Sequence, residues 1–271
     1  MDEAYRVVAH RIGARFSHLP EVQAVAVAGS QTSGVASVGS DIDIYIYTNG
    51  EIRAETRMVV AEEFADDAEL NDYWGPGNEW TDRESRIHID AMFWTVGWIK
   101  DQLNRVLKRH EAGMGYSTCL WHTIRVSEVV FDRTGWFRGL QTDAMVPYPE
   151  ALARAIINHN FPVLGTIASS YQVQLQKAAA RGDRVSLNHR TAALLASYFD
   201  ILFALNRVPH PGEKRLVELT QRFCAKRPVG MAEQVNALIA ASGGTGAEIG
   251  AAVQGLIKPL AVLLREEGMV G

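Results

Sequence analysis

The chain has 271 residues, which is enough for one large domain or two ordinary ones, and we expect two. Its 27 lysines and arginines against 31 aspartates and glutamates give a formal net charge of −4, which argues against a broad basic surface for duplex nucleic acid. The two cysteines, Cys119 and Cys224, stand far apart without Cys-x-x-Cys spacing, so neither a zinc ribbon nor a disulfide framework is indicated.

The first predicted element is an amphipathic helix and not a targeting sequence. Apolar residues recur at helical spacing across residues 2–16, and Pro20 ends the pattern. No basic segment followed by an apolar core opens the chain. No stretch approaches the roughly 20 apolar residues that a membrane-spanning helix requires. We therefore expect a cytoplasmic protein with no membrane partner.

Residues 25–46 carry the most informative pattern in the chain. An apolar run that stops at Gly29-Ser30 predicts a buried strand followed by a turn, and the backbone N–H groups of such a turn suit a phosphate. The next predicted strand begins at Asp41. Its alternation puts Asp41 and Asp43 on one face and three isoleucines on the other. The two carboxylates therefore point the same way beside a phosphate-binding turn.

A third carboxylate follows on a later predicted strand. Helical spacing over residues 54–65 predicts a covering helix, and residues 71–80 read as a Gly/Pro loop rich in aromatic residues. Residues 86–94 alternate as a strand that places Asp90 and His88 on one face. A helix over 96–110 and a strand over 123–131 complete the first half of the chain.

These acidic residues suit divalent-metal chemistry. An Asp-x-Asp pair on a strand edge matches the preference of Mg²⁺ for oxygen ligands, although many such pairs are merely solvated. The predicted phosphate-binding turn favours a metal site over a merely solvated pair, because a metal ion can bridge bound phosphates to the carboxylates. With Asp90, two ions can be held. In a reaction at the α-phosphoryl group of a bound triphosphate, one ion would lower the pKa of the attacking hydroxyl. Both ions would stabilise the transition state and the leaving pyrophosphate.

The composition changes at Pro147-Tyr148-Pro149. Beyond this segment strand-like alternation disappears, and long helical stretches rich in alanine and leucine predict a helical bundle. The predicted domains are therefore residues 1–147, with a mixed sheet flanked by helices, and residues 148–271, which are all helical. The fold class is α+β.

The second half contains weaker candidates for ligand contact. Lys214 and Arg215 follow a Pro-Gly break at a predicted helix start, where the helix dipole disfavours cations unless an anion lies nearby. Either a bound triphosphate supplies that anion, or the two residues form a solvated helix end. Asn206 closes a strongly apolar helix and is either a cap or a ligand contact.

Aromatic and histidine side chains offer further candidates with structural alternatives. Trp74, Trp80, Trp94 and Trp98 can stack on a base or on a sugar-like acceptor, or they can belong to the core. His88 either lies near the reacting groups or is a structural hydrogen-bonding residue of its strand.

At this point the chain resembles the nucleotidyltransferase superfamily that includes DNA polymerase β and the antibiotic nucleotidyltransferases. The shared pattern is Gly29-Ser30, a further glycine at Gly34, then Ser40-Asp41-Ile42-Asp43, with Asp90 on a later apolar strand. The second half is also similar to the helical domain of a little-characterised bacterial branch, through residues 203–206 and 211–215.

The resemblance implies roles for the matched residues. It implies that Asp41 and Asp43 bind magnesium and that Asp90 is a third metal-linked carboxylate or the general base. It also implies that the glycine turn contacts the triphosphate. The nucleotide-binding candidates are Gly29, Ser30, Ser40 and Lys214.

The predicted activity is transfer of a nucleoside monophosphate, AMP from ATP or another nucleoside triphosphate, to a hydroxyl of a small-molecule acceptor. Two Mg²⁺ ions and pyrophosphate release are implied. The acidic total charge favours a small acceptor over a polynucleotide. The alternatives are an antitoxin-like transferase that modifies a protein with AMP, and a non-catalytic nucleotide-binding regulatory module. The sequence leaves the acceptor, the general base and the oligomeric state open.

Overall fold

The protein consists of two compact units. The computed structural model describes residues 3–29, 40–73 and 75–271. One unit comprises residues 1–104 and 120–146, and the other comprises residues 105–119 and 147–271. The chain crosses between the two units three times, the last time between residues 146 and 147. Nothing in the composition signals the two earlier crossings, which assign residues 105–119 to the second unit.

The first unit contains a six-stranded sheet and its covering helices. The elements are α1 (Glu3–Phe16), β1 (Val22–Ala28), β2 (Ile42–Thr48), α2 (Ala54–Glu62), β3 (Glu69–Leu70), β4 (Gly77–Thr81), β5 (His88–Thr95), α3 (Val96–Leu107), α4 (Cys119–Val126), β6 (Glu128–Asp132) and α5 (Trp136–Ala144). The boundaries between the units fall within α3 and within α4.

The sheet is mixed, as the sequence predicted. Its strand order is β3-β4-β5-β2-β1-β6. Strands β2 and β5 run parallel, and all other neighbouring pairs run antiparallel. The register places Ala28 beside Asp43, Asp43 beside Asp90, and Asp90 beside Glu79. Four strands therefore bring acidic and small residues together at one end of the sheet.

One sheet face forms the core of the first unit and the other carries the acidic residues. Ile42, Ile44 and Ile46 are fully buried, in one apolar cluster with residues of α1 and α2. Asp43 and Tyr45 alternate with them and are only half-buried. The predicted period of two in β2 is thus correct, and burial of the isoleucine face fixes which residues point to the opposite side.

The predicted strand over residues 123–131 is wrong in its first half. Residues up to Val126 belong to α4, and only Glu128–Asp132 form a strand, β6. Trp121 and Ile124 are both buried at a spacing of three residues, which is a helical and not a strand period. The β-branched residues of this segment are compatible with either structure, so tertiary packing decides.

Asp82 anchors the turn between β4 and β5. Its fully buried carboxylate accepts hydrogen bonds from the Ser85 backbone N–H at 2.9 Å and the Ser85 hydroxyl at 2.7 Å, and it pairs with Arg11 of α1. Burial raises the pKa of the Asp82 carboxyl, but these donors outweigh burial and leave the pKa below its ordinary value. The ionised form is therefore the native form.

Asp82→Ala is expected to lower the free energy of unfolding by about 2–3 kcal/mol, because buried donors lose their acceptor. Since the native pKa is depressed, this contribution is fully present above the unfolded pKa of about 3.9 and is lost as pH falls through the native pKa. Urea denaturation at pH 7 measures the loss. Glu84→Ala is the control, because Glu84 is exposed and pairs with the same Arg11 at 2.5 Å. Equal losses in both variants would contradict the anchoring role of Asp82.

The second unit is a helical bundle, as predicted. The helices are α6 (Glu150–Gly165), α7 (Tyr171–Ala180), α8 (Arg184–Leu205), α9 (Leu216–Phe223), α10 (Met231–Ala241) and α11 (Gly246–Glu266). The central helix is α8, in which every residue after Ala196 is buried. It packs against α6 and α7, and α11 packs against α7 and α10.

Polar side chains inside this bundle hold the segment between α3 and α4. Asp200 of α8 accepts hydrogen bonds from the Ser117 backbone N–H at 3.1 Å and the Ser117 hydroxyl at 2.6 Å. Asn160 of α6 accepts from the Gly115 N–H at 3.1 Å and donates to the Gly113 carbonyl oxygen at 2.9 Å. Asp200 and Asn160 are both buried. The backbone of this segment is thus paired with two helices of the bundle.

Helix α11 corrects one sequence expectation. By length and composition alone α11 could cross a membrane. The expectation that no stretch is long and apolar enough for a membrane-spanning helix is therefore wrong for α11. Within the bundle, the buried residues of α11 recur at helical spacing, from Ile249 and Val253 through Leu256 to Leu260 and Leu264. This pattern is typical of an amphipathic helix that packs in a bundle.

Candidate active site

Gly29 lies directly against the carboxylate of Asp43. It follows the last residue of β1, Ala28, which is paired with Asp43 of β2. The backbone of Gly29 is left-handed, with φ of +67°, and a Cβ atom at this position would overlap the Asp43 carboxylate. Glycine is therefore required here for two reasons, the backbone conformation and the space that Asp43 occupies.

Asp90 and Asp41 complete the predicted group of aspartates. Asp90 is the register partner of Asp43 on the parallel strand β5, so the two side chains share a face. Asp41 is exposed and stands immediately before β2. Burial raises the pKa of Asp90, Glu79 raises it further, His88 lowers it, and Asp41 raises it. The charge of Asp41 thus acts on Asp90.

Tyr45 extends this electrostatic group along β2. Burial raises the pKa of the Tyr45 hydroxyl, and the charges of Asp43 and Asp90 raise it further. The phenol therefore stays protonated at neutral pH and can only act as a neutral hydrogen-bonding group. Tyr45 therefore lies between the carboxylates at one end of this sheet face and the aromatic residue Trp94, on which it stacks.

Glu79 is a fourth carboxylate that the sequence analysis missed. It lies on β4 in register with Asp90, accepts a hydrogen bond from the Asn71 amide, and lies 4.0 Å from His88 Nε2. The sequence predicts an aromatic loop at residue 79, because β4 has only five residues and no clear alternation. Like charges this close favour either a bound cation or a retained proton.

The residue types fit a magnesium ion. Mg²⁺ takes oxygen ligands and usually binds one or two carboxylates while keeping waters and substrate phosphates. Asp43, directly beside the glycine turn, and Asp41 two residues earlier supply such oxygens. Within residues 3–29, 40–73 and 75–271, no three acidic, histidine or cysteine side chains are already arranged to hold a metal ion. A site completed by phosphate oxygens and water is consistent with that finding.

The remaining nucleotide-binding candidates have different positions. Ser30 and Gly34 lie outside the described residues. Ser40 is half-buried and directly precedes Asp41. Lys214 belongs to the second unit, just before α9. Asn206 is a cap of α8, because its side-chain amide donates to two backbone carbonyl oxygens at 2.8 and 2.7 Å.

The four candidate tryptophans separate into core and surface positions. Trp80 is buried and stacks against Phe64, so its structural alternative is correct. Trp74 lies outside the described residues. Trp94 is half-buried on the sheet face that carries Asp90, since residues 90 and 94 are an even number of positions apart on β5. Trp98 is exposed at the beginning of α3.

A second cluster with nucleophile-like residues does not have the properties of a catalytic site. In the helical unit, Cys119 Sγ lies 3.3 Å from His210 Nδ1. Burial raises the pKa of the Cys119 thiol far above neutrality, and the charge of Asp200 raises it further. Because the thiolate is the reactive form, this half-buried cysteine is an inert thiol.

The carboxylates beside a glycine turn, on a mixed sheet, are typical of enzymes that transfer phosphorus-containing groups. Residues 11–110 match the nucleotidyltransferase domain family, so the chain carries a nucleotidyltransferase domain and is a transferase. The resemblance drawn from the sequence is thereby confirmed. Residues 117–216 match a domain family of unknown function, DUF4037.

Two solved structures align with most of the chain at low similarity. A nucleotidyltransferase-like protein from Exiguobacterium sibiricum is 10% identical with a TM-score of 0.49, over 97% of this chain and 77% of that one. A CdnC structure from Escherichia coli, in complex with HORMA, is 13% identical with a TM-score of 0.30, over 93% and 90% of the two chains. No curated protein matches the chain.

Proposed function

We propose that the protein transfers a nucleoside monophosphate, AMP from ATP, to a hydroxyl of a small-molecule acceptor and releases pyrophosphate in a magnesium-dependent reaction. The observation that carries this proposal is the position of Asp43, which lies between the Gly29 turn and Asp90. Gly29, which opens the turn that the sequence predicts to bind phosphate, therefore lies at the same end of the sheet as two carboxylates suited to a cation. The nucleotidyltransferase domain match supports a nucleoside triphosphate as the donor.

Each residue of the site has a distinct proposed role. Asp41 and Asp43 would hold magnesium, which would neutralise phosphate charge and lower the pKa of the attacking hydroxyl. Gly29 lets the turn approach the triphosphate, together with Ser30 and Ser40. Asp90 either joins the metal site or takes the proton of the acceptor hydroxyl.

Charge and chemistry support the proposed acceptor and the proposed compartment. The net charge of −4 disfavours a polynucleotide acceptor, since phosphate backbones bind through clusters of lysine and arginine. Glu79 adds a further negative charge beside Asp90, which disfavours an anionic acceptor at this edge. The proposed compartment is the cytoplasm, where nucleoside triphosphates are available.

The double variant Asp41→Asn and Asp43→Asn is expected to lower nucleotide transfer at least about 100-fold, because the amides no longer carry the charge that holds a hard cation. The measurement is transfer of α-labelled ATP, with pyrophosphate release, across a panel of hydroxyl-bearing small molecules. Asp66→Asn is the matched control, since Asp66 is an exposed carboxylate of the same unit paired with Arg83 at 2.6 Å.

Each other outcome has a defined meaning. Transfer by the double variant at the rate of the unaltered protein would show that these carboxylates do not hold the metal. Label that appears on a co-purifying protein would replace the small molecule with a protein acceptor. Magnesium-dependent ATP binding without pyrophosphate release on any acceptor would favour a non-catalytic nucleotide-binding module.

A further inference from the structure

Three aromatic side chains, Tyr45, Trp94 and Trp98, form an aromatic ladder on the sheet face that carries the carboxylates. We propose that the outer member, Trp98, stacks on the base of the donor nucleotide and is the residue that binds this part of the substrate. The inference rests on the proposed function, because it takes the carboxylate end of the same sheet face as the triphosphate site.

The ladder is continuous. The rings of Tyr45 and Trp94 stack with centroids 4.5 Å apart and an interplanar angle of 21°. The rings of Trp94 and Trp98 follow at 5.3 Å and 43°. Aromatic rings at these separations support one another by dispersion and quadrupole interactions. Trp98 therefore packs on Trp94, which in turn packs on Tyr45.

The inner end of the ladder adjoins the carboxylates. Tyr45 is two residues from Asp43 on β2, and its register partner Met92 is two residues from Asp90 on β5. Side chains two residues apart on a strand point to the same face. A ligand held at Asp43 and Asp90 therefore meets Tyr45 and then Trp94 along the sheet, without crossing to the apolar side.

The outer end of the ladder is open to solvent and fixed in place. Trp98 is 44% exposed, whereas the next residue, Ile99, is fully buried. The Trp98 backbone N–H donates to the Thr95 hydroxyl at 3.2 Å, which caps the beginning of α3. A large ring with one open surface and a fixed backbone loses little conformational freedom when a ligand stacks on it.

The spacing suits a nucleotide. Asp90 and Trp94 are four residues apart on one strand, which is about 13 Å at the usual rise of a strand. Asp90 and Trp94, on which Trp98 packs, therefore lie at the two ends of a region of nucleotide length. Every nucleoside triphosphate carries a planar base, and stacking of that base on an aromatic side chain tolerates any base identity. A hydroxyl acceptor need not contain an aromatic ring, so the donor base is the better occupant.

The test compares two ligands that differ by the nucleoside. Calorimetry in the presence of Mg²⁺ measures the affinities of ATP and of inorganic tripolyphosphate for the full chain. Trp98→Ala is expected to weaken ATP binding about 10-fold, the size of one base–aromatic stack, and to leave tripolyphosphate binding unchanged. Trp98→Phe, which keeps a ring, is expected to retain most of the ATP affinity.

Phe223→Ala is the matched control, because Phe223 is also 44% exposed but lies on α9 of the helical unit. The Phe223→Ala variant loses an aromatic ring that is as exposed as Trp98 but lies outside the sheet. Its ATP affinity should therefore not change. Circular dichroism and thermal unfolding show whether each variant keeps its structure, and the tripolyphosphate affinity reports on the phosphate end separately.

Several outcomes would overturn the inference. Unchanged ATP affinity in Trp98→Ala would do so, as would equal weakening of ATP and tripolyphosphate. A rise in the acceptor KM with unchanged ATP affinity would assign Trp98 to the acceptor instead. If the unaltered protein binds ATP but transfers nothing, the proposed function fails while the stacking result still stands. If it binds neither ligand, both proposals fail.

Discussion

Gly29→Ala is expected to lower nucleotide transfer about 100-fold, the effect of displacing a catalytic group by about 1 Å. An alanine Cβ at this position would overlap the Asp43 carboxylate, so that carboxylate must move. The left-handed φ of +67° adds strain of about 1 kcal/mol for any residue with a Cβ. The variant should therefore remain folded while it loses the arrangement of Asp43 beside the turn.

The measurement is kcat/KM together with the Mg²⁺ concentration needed for half-maximal activity. According to the proposed function Asp43 binds magnesium, so a displaced Asp43 should bind it less well. The Mg²⁺ concentration needed for half-maximal activity should therefore rise as kcat/KM falls. Gly50→Ala is the control, since an added Cβ at Gly50 meets nothing within 4 Å. Full activity and an unchanged Mg²⁺ requirement in Gly29→Ala would show that the contact between Gly29 and Asp43 is not part of the catalytic arrangement.

The position of Asp43 could be predicted from the sequence because the relevant information is local. Alternation within one strand decides that Asp43 and Ile44 face opposite sides, and burial of the isoleucines follows from their composition. The pairing of Asp43 with Asp90 is not local. It depends on β2 and β5 being parallel neighbours, 47 positions apart in the chain, and no period in the sequence encodes that register.

Glu79 was missed for a related reason. Its strand, β4, has five residues and lies in a segment with glycine, proline and several aromatic residues, which is typical of a loop. Only its pairing with β5 makes it a strand and places Glu79 beside Asp90. Short strands of this kind are stabilised by their neighbours and not by their own sequence pattern.

One residue of the polar network in the helical unit is visible as a signal in the sequence. Asp200 interrupts an otherwise apolar stretch of α8, with Phe199 before it and Ile201 after it. A carboxylate at such a position must be satisfied by buried donors. Those donors come from Ser117, 83 positions earlier, so the sequence indicates that a partner exists without identifying it.

Asp200→Ala is expected to lower the free energy of unfolding of the helical unit by about 3 kcal/mol, because the Ser117 N–H and hydroxyl lose their buried acceptor and a small void forms. Gly115 limits how far the chain can adjust to the loss of Asp200. Its φ is +80°, and an added Cβ would lie only 2.9 Å from the Ala196 Cβ. The chain at Gly115 therefore lies too close to α8 to move into the space that Asp200 leaves. Chemical denaturation followed by circular dichroism measures the loss.

The pH dependence of stability separates the charge of Asp200 from its packing. Burial raises the pKa of the Asp200 carboxyl to about 7, even though the hydrogen bonds from Ser117 lower it. The folded state therefore binds a proton more tightly than the unfolded state, whose pKa is about 3.9. This contribution to stability is fully present below about pH 4 and is lost as pH rises toward 7, by at most about 4 kcal/mol.

Asp200→Asn removes this titration and keeps the shape of the side chain, so its stability should fall less than that of the unaltered protein between pH 4 and pH 7. Asp183→Asn is the opposite control. Asp183 caps the N-terminus of α8, accepts from the Ser186 N–H at 3.0 Å, and has a pKa lowered chiefly by hydrogen bonds from Ser186. Its contribution is present above about pH 4 and is lost in acid. Parallel pH profiles for Asp200→Asn and the unaltered protein would show that the buried carboxylate does not titrate in this range, and its hydrogen bonds would then carry its whole effect on stability.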